Sequence, residues 1–250
     1  KGIDEKLFTK LVMKRSDLIT ADSQDQLAAA VKLGASPDKC RLVQWGVDLD
    51  AFHPGLVSDV RSRLGIGDGP LVISQRKFQP LYNIDVIVQS FSNVLKILPD
   101  AHLILTGEGF DQAEVRGQVN RLRIEANVHF TGYLSYDDLV LYLSVADLAI
   151  SIPSWDGTAM AILEAMACGV PLIVSDLASN REWIEDGKNG YIVQPRDHEQ
   201  LAVRMIELLK DRTSRERFSS QNVGIVRELA DHEKHMARME TYYRELCGQQ

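Results

Sequence analysis

The chain has 250 residues, 45% of them hydrophobic and 25% charged, which is an ordinary composition for a globular protein with a sizeable core. Its formal net charge of -7 argues against nucleic acid as a partner, because a basic surface that could neutralise phosphates is not indicated. Cys40, Cys168 and Cys247 are far apart in the sequence, so neither a disulfide framework nor a zinc site is supported.

The first 45 residues are predicted to alternate short helices and strands. Apolar side chains recur at helical spacing over 1–14, and a short buried strand follows at 18–21. Ser23 is expected to cap a second helix over 24–33, before another short strand at 41–45.

The stretch 46–54 contains a glycine and ends in a proline, which favours a linker. From residue 71 onward strands and helices alternate, the pattern of an α/β fold with a doubly wound parallel sheet. Its strands are predicted at 71–74, 102–105, 128–130, 148–152, 172–174 and 190–193. Ligands of such sheets bind beyond the carboxyl ends of the strands, so the loops that follow these strands should share one pocket.

One stretch organises this half of the chain, because residues 154–174 read Ser-Trp-Asp-Gly-Thr-Ala-Met-Ala-Ile-Leu-Glu-Ala-Met-Ala-Cys-Gly-Val-Pro-Leu-Ile-Val. Asp156, Gly157 and Thr158 are predicted to cap a helix and to leave its first amides free, which makes a site for an anion. Gly169 is expected to end that helix before the next strand.

Glu164 is the only charged side chain between residues 159 and 174. Burial of a lone carboxylate is costly, so a specific partner is expected. A rise of about 1.5 Å per residue places it roughly 10 Å along the helix from Gly157, a span that fits a nucleoside diphosphate. The phosphates would meet the helix amides while the ribose hydroxyls reach Glu164. The structural alternative makes Asp156 an ordinary cap and Glu164 the partner of an arginine or lysine.

The spacing of Asp156 and Glu164, followed by Ala-Met-Ala-Cys-Gly-Val-Pro-Leu-Ile, resembles the Glu-x7-Glu motif of retaining glycosyltransferases of family 4. These enzymes have the GT-B fold, and this chain has Asp in place of the first Glu. The resemblance implies that Glu164 binds the nucleotide ribose and that Asp156 touches the donor sugar near the reacting carbon. It also implies donor contacts for the helix start, at Gly157, Thr158 and Ala159.

The loop from Arg76 to Asp85 resembles the place where this family grips the diphosphate with an Arg and a Lys. Lys77 falls at the Arg position and Tyr82 at the Lys position, so one cation is lost. Arg76 and Lys77 are still expected to bind the diphosphate, since both are good phosphate partners. The alternative is a solvated basic pair at a strand end.

Two further loops are expected to contact the donor. Gly107 begins a Gly-Glu-Gly turn, which lacks the third glycine of a dinucleotide-binding motif, so plain turn chemistry is the alternative. Gly132 and Tyr133 stand where the family holds the nucleobase through backbone contacts. Such contacts leave the base unidentified, and a UDP-sugar and a GDP-sugar are both compatible.

The Gly-Val-Asp-x-x-x-Phe-x-Pro stretch within 46–54 resembles the hinge between the two domains of the family. The implied division makes 1–54 the end of an N-terminal acceptor domain with its linker, and 55–228 the Rossmann-like donor-binding domain. Residues 229–250 would form a terminal helix that packs back toward the N-terminal part. Because the chain begins without a methionine, a fragment or processed form is expected.

The resemblance implies a transferase of the EC 2.4 class that moves a hexosyl or related group from a nucleotide-diphosphate sugar to an acceptor. The acceptor would be a glycan, a lipid-linked molecule or a small molecule, and no metal or cofactor is expected. Most of the acceptor domain is missing, so little or no transfer is expected from the chain alone. The alternatives are a non-catalytic sugar-nucleotide-binding subunit, a GT-B-fold epimerase and a plain α/β interaction module.

The sequence has neither an apolar run of membrane-spanning length nor the hydrophobic region of a signal peptide. The expected location is therefore the cytoplasm. Peripheral contact with a membrane through the missing N-terminal domain is compatible with this, as is a role in polysaccharide or glycolipid biosynthesis.

Overall fold

The computed structural model describes residues 2–248, so the helix predicted from Lys1 is seen only from Gly2 onward. The N-terminal part forms a two-stranded parallel sheet in which Ile19 lies opposite Cys40. The Ser23 hydroxyl accepts the amide of Gln26, which confirms the predicted cap. The elements here are α1 (Gly2–Arg15), β1 (Ile19–Ala21), α2 (Gln24–Lys32) and β2 (Cys40–Leu42).

The rest of the described chain is built around one parallel sheet of six strands, as the α/β pattern predicts. Each strand lies close to its predicted place because each is a short apolar run between turn residues. The strands are β3 (Leu71–Ser74), β4 (His102–Thr106), β5 (Val128–Gly132), β6 (Leu148–Ser151), β7 (Leu172–Ser175) and β8 (Tyr191–Val193).

Helices lie before, between and after these strands, and several of them cover the two faces of the sheet. They are α3 (Val60–Arg63), α4 (Ile84–Leu95), α5 (Gln112–Leu122), α6 (Tyr136–Leu143), α7 (Met160–Ala167), α8 (Ala178–Arg181), α9 (His198–Lys210), α10 (Arg212–Leu229) and α11 (His232–Leu246). Side chains alternate along β3, so that Leu71 and Ile73 pack with α7 while Val72 packs with α4 and α9. Every residue of β3 is buried, as expected for a strand covered on both faces.

The strand order is β5-β4-β3-β6-β7-β8. The chain therefore starts in the middle at β3, builds outward to β5, and returns to place β6 on the other side of β3. The loops after β3 and β6 diverge at this reversal, and they leave a crevice at the carboxyl ends of the two strands. In doubly wound sheets this is the crevice in which ligands bind, so the topology predicts a ligand site here.

The start of α11 contacts the stretch between the two sheets. The Val47 amide donates to the Ala230 carbonyl at 2.7 Å, and the His232 amide donates to the Val47 carbonyl at 3.2 Å. Gly46 lies so close that a Cβ there would be 2.7 Å from the His232 amide nitrogen. The division into acceptor end, donor domain and terminal helix stays a prediction.

Within residues 2–248, none of the helices is both long enough and apolar enough to cross a bilayer.

Candidate functional site

A cavity of about 420 Å³ opens at the carboxyl ends of the central strands, where the strand order reverses. It collects side chains from the loops after β3, β4, β5 and β6 and from the first turns of α7. Its lining consists of Gln75, Arg76, Lys77, Tyr82, Thr106, Gly107, Tyr133, Leu134, Leu139, Asp156, Thr158, Ala159, Met160, Ala161 and Glu164.

Helix α7 begins later than the sequence predicts. Ala159 is its N-cap and contributes no side-chain hydrogen bond, so the prediction that Asp156 caps this helix is wrong. Gly157 lies before the helix, and the estimate of its distance from Glu164 along the axis does not apply. The predicted free amides do exist, because those of Met160 and Ala161 have no acceptor among the described residues.

Contacts with the N-terminal part explain the late start of α7. The Thr158 hydroxyl donates to the Asp22 carbonyl at 2.7 Å and accepts the indole N–H of Trp183 at 3.3 Å. A Cβ on Gly157 would lie 2.2 Å from Gln26 Nε2 and 2.6 Å from an Asp22 carboxylate oxygen. These contacts hold Gly157 and Thr158 outside the helix and override their local tendency to begin it.

Asp156 faces the cavity and forms an ion pair with Arg76. Its other carboxylate oxygen accepts the neighbouring Gly157 amide at 3.0 Å. Arg76 is 9% exposed at its side chain, and its guanidinium carbon lies 4.2 Å from the centroid of the Tyr82 ring. Lys77 lines the rim with an exposed side chain, so the buried cation of the cavity is Arg76.

Glu164 lies on the face of α7 that is turned to the cavity, and its partner is Gln75 at the end of β3. The Gln75 amide nitrogen donates to Glu164 Oε2 at 2.6 Å, which supplies the partner that burial of this carboxylate demands. Burial raises the pKa of Glu164 to about 7, against the opposing effects of the Arg76 charge and the Gln75 hydrogen bond. Near neutral pH, Glu164 therefore populates both its neutral and its ionised form.

The predicted glycine loops meet at the same crevice. Gly107 adopts a φ of +94° and donates its amide to the Gly132 carbonyl at 2.7 Å. Tyr133 is 80% exposed beside the cavity. Gly132 and Gly157 are the two predicted site residues that do not line the cavity; both shape loops that do.

The sequence profile of a family described as glycosyl transferases group 1 matches residues 58–223. The chain belongs to this family. The match covers the six-stranded sheet with α7 and the loop that holds Asp156. The epimerase and the non-catalytic subunit receive no support from the comparisons.

Two curated relatives show what the chain is similar to. It is 26% identical over 232 residues to N-acetyl-alpha-D-glucosaminyl L-malate synthase of Bacillus anthracis, covering 92% of this chain and 60% of that protein. It is 28% identical over 225 residues to D-inositol 3-phosphate glycosyltransferase of Frankia alni, covering 85% of this chain and 55% of that protein. The chain thus spans little more than half the length of these relatives.

The fold of the chain is similar to that of solved structures. The Anabaena protein HepE, in complex with UDP and glucose, superposes with a TM-score of 0.87 at 20% identity, over 96% of this chain and 66% of that one. Sucrose-phosphate synthase of Thermosynechococcus elongatus superposes with a TM-score of 0.87 at 24% identity, over 98% of this chain and 62% of that one. The doubly wound α/β fold predicted from the sequence is confirmed.

Two residues, Gln75 and Asp22, were not singled out from the sequence. Gln75 lies in the loop after β3, where only Arg76 and Lys77 were expected to bind a ligand, and a glutamine alone does not signal one. Tyr82 was placed at the family's Lys position, but its contact with the Arg76 guanidinium was not predicted. Asp22 follows β1 directly, and its carboxylate lies against Gly157 with one oxygen that has no hydrogen-bond donor among the described residues. Burial, with a smaller contribution from Asp156, raises the pKa of Asp22. Its position after a predicted strand was the available signal.

Proposed function

We propose that the chain is the donor-binding part of a retaining glycosyltransferase that uses a nucleotide-diphosphate sugar. The observation that carries this proposal is one cavity with free helix amides, a buried Arg76 and a buried Glu164 side by side. Membership of the glycosyltransferase family and the names of the relatives support it, as does the UDP bound by the Anabaena neighbour.

The diphosphate would lie at the N-terminus of α7. Met160 and Ala161 line the cavity, their amides have no acceptor among the described residues, and the helix dipole adds positive potential there. Arg76 would add a guanidinium that can hold two phosphate oxygens at once. Lys77, at the rim, would contribute a more distant positive charge.

The ribose would lie deeper along α7, against Glu164. An ionised carboxylate accepts hydrogen bonds from vicinal hydroxyls, which suits the two hydroxyls of a ribose. Gln75, which donates to Glu164, lines the same wall of the cavity and holds the carboxylate in place there.

The sugar would lie beyond the diphosphate, near Asp156. When the bond between the sugar and the diphosphate breaks, positive charge develops at the anomeric carbon and negative charge on the leaving phosphate. Asp156 would stabilise the first, while Arg76 and the α7 amides would stabilise the second. Retention at the anomeric carbon, a metal-independent reaction and the roles of these residues belong to this proposal.

The acceptor is proposed to be a glycan, a lipid-linked molecule or a small molecule. The chain spans little more than half the length of its curated relatives, so its own residues supply only part of an acceptor site. Little or no transfer is expected from the isolated chain. Cytoplasmic location and peripheral contact with a membrane stay predictions.

Calorimetric titration of the chain with UDP, GDP and ADP tests the proposal. We expect one diphosphate to bind with a clear preference over its nucleoside, and Glu164→Ala to weaken it by about tenfold or more, as loss of a charged hydrogen-bond acceptor implies. Glu207→Ala, which changes an exposed carboxylate on α9, is the matched control and should bind as the parent does. Failure of all three nucleotides to bind would contradict the proposal.

A further inference from the structure

Tyr82 is the aromatic side chain nearest to the buried cation of the cavity. Its ring centroid lies 4.2 Å from the Arg76 guanidinium carbon, within the range of a strong cation–π contact. The ring is half-buried and packs against the apolar cluster beneath the sheet. It therefore offers Arg76 a fixed surface rather than a mobile one.

The backbone fixes the position of Tyr82. It ends a 3-10 turn, Pro80–Tyr82, and the next residue, Asn83, adopts a left-handed conformation with a φ of +52°. The buried Asn83 amide donates to the Ile152 carbonyl at 2.8 Å and to the Ser154 hydroxyl at 2.9 Å. The loop that carries Tyr82 is thus fastened to the loop that carries Asp156.

Arg76 is held from two sides, by the Asp156 carboxylate and by the Tyr82 ring. A diphosphate competes with Asp156 for the guanidinium, since both are anions that use its N–H groups. It does not compete directly with Tyr82, because the ring attracts the guanidinium through its π-face, whereas Asp156 and a phosphate accept hydrogen bonds from its N–H groups. The cation–π contact can therefore persist when the ion pair is exchanged for phosphate.

We propose that Tyr82 is a positioning residue for the donor. Its ring holds the Arg76 guanidinium in the cavity while the guanidinium N–H groups change partner from Asp156 to the diphosphate. This rests on the proposed function of the site. Among the groups proposed to bind the diphosphate, Tyr82 contacts Arg76, and it is proposed to act through that side chain.

The experiment compares the affinity of the chain for a nucleoside diphosphate and for its own monophosphate, using whichever of UDP, GDP and ADP binds the parent. Tyr82→Leu should weaken diphosphate binding about five- to tenfold, because the freed Arg76 side chain must then be ordered on binding, and should change monophosphate binding by less than about twofold. Tyr82→Phe keeps the ring and should restore the parent ratio. Tyr191→Leu is the matched control, because Tyr191 stacks on Arg204 at 4.6 Å on another part of the sheet.

A double-mutant cycle with Arg76→Ala separates positioning from general disturbance of the loop. In that background Tyr82→Leu should have no further effect on diphosphate affinity. Equal weakening by Tyr82→Leu with and without Arg76 would overturn the inference, and so would a Tyr82→Phe variant as weak as Tyr82→Leu. Either of those results would leave nucleotide binding by the parent intact. Absence of binding by the parent contradicts the proposed function, and with it the inference.

Discussion

At the scale of single residues, Glu164 makes nucleotide binding depend on pH. Its pKa is raised to about 7 by burial, so the acceptor form is scarce at pH 6 and dominant at pH 8. If the ionised form binds the ribose, nucleotide affinity should rise about tenfold between these pH values. Calorimetry across this range measures it.

The control for this prediction is Glu164→Gln, which should remove the rise. Since burial disfavours the charged form in the folded protein, the stability cost of Glu164 grows as pH increases through 7. The variant should accordingly unfold at the same temperature as the parent or higher at pH 8, so that lost affinity reflects the site. A parent whose affinity is independent of pH would contradict the proposed role.

Substitution of Gly157 tests the contact between the N-terminal part, at Asp22 and Gln26, and the loop after β6. In Gly157→Ala the new methyl would meet Gln26 Nε2 and the Asp22 carboxylate at less than 3 Å, so the side chains or the loop must shift. We expect weaker diphosphate binding with little change in thermal unfolding. Gly67→Ala, which has open space around it, is the control, and Gly157→Ala combined with Asp22→Ala should recover part of the loss. Unchanged affinity in Gly157→Ala would show that this contact does not shape the site.

For single residues, the sequence predicted which side chains are buried better than it predicted which of them meet in the cavity. The pattern around Glu164 indicated a buried acid that needs a partner, and the structure supplies Gln75. Which of two adjacent cations turns inward could not be predicted, because that depends on where Tyr82 and Asp156 lie in space. The resemblance placed Lys77 at the family's Arg position, yet Arg76 is the buried one.

At the scale of elements, Asn83 joins the loop after β3 to the loop after β6. Besides its two amide bonds, its side-chain oxygen accepts from Arg196 at 3.1 Å. Asn83→Gly permits the positive φ but leaves its partners unpaired, which should cost about 1–3 kcal/mol of unfolding free energy. Asn83→Ala should cost about 1 kcal/mol more because of backbone strain. Urea denaturation measures both values, and a more stable Ala variant would contradict this account.

Helices and strands whose ends are marked by nearby residues in the sequence, such as glycines and polar turn residues, could be predicted. The strand over Leu71–Ser74 matches its prediction because an apolar run lies between a glycine-rich turn and polar residues. The start of α7 could not be predicted, since contacts with Asp22, Gln26 and Trp183 from distant parts of the chain hold residues 157 and 158 outside the helix. Local capping chemistry is overridden where distant segments meet, and this is also where the site lies.

At the scale of the whole molecule, the two sheets differ in how much of them is buried. Strands β3 and β6 are buried along their full length, while β1 and β2 form a two-stranded sheet that is only partly buried. A two-stranded sheet is marginally stable unless other elements cover it. Amides of β1 and β2 should therefore exchange with deuterium much faster than those of β3 and β6. Equal protection in a hydrogen-exchange experiment would contradict the prediction.

The alternation of apolar strands and helices was sufficient to predict the fold of the larger part, because a parallel sheet buried on both faces has few solutions. The small N-terminal sheet was predicted only as separate elements. Its contact with the loop after β6 depends on residues such as Asp22, and no local sequence pattern indicates that contact.

The central claim is that the cavity between the loops after β3 and β6 binds a nucleoside diphosphate along α7. A crystal structure of the chain with the diphosphate that binds it would test this most directly. The account predicts phosphates within hydrogen-bond distance of the Met160 and Ala161 amides and of Arg76, with ribose hydroxyls on Glu164. A nucleotide bound elsewhere on the chain, or one bound here with its ribose away from Glu164, would contradict it.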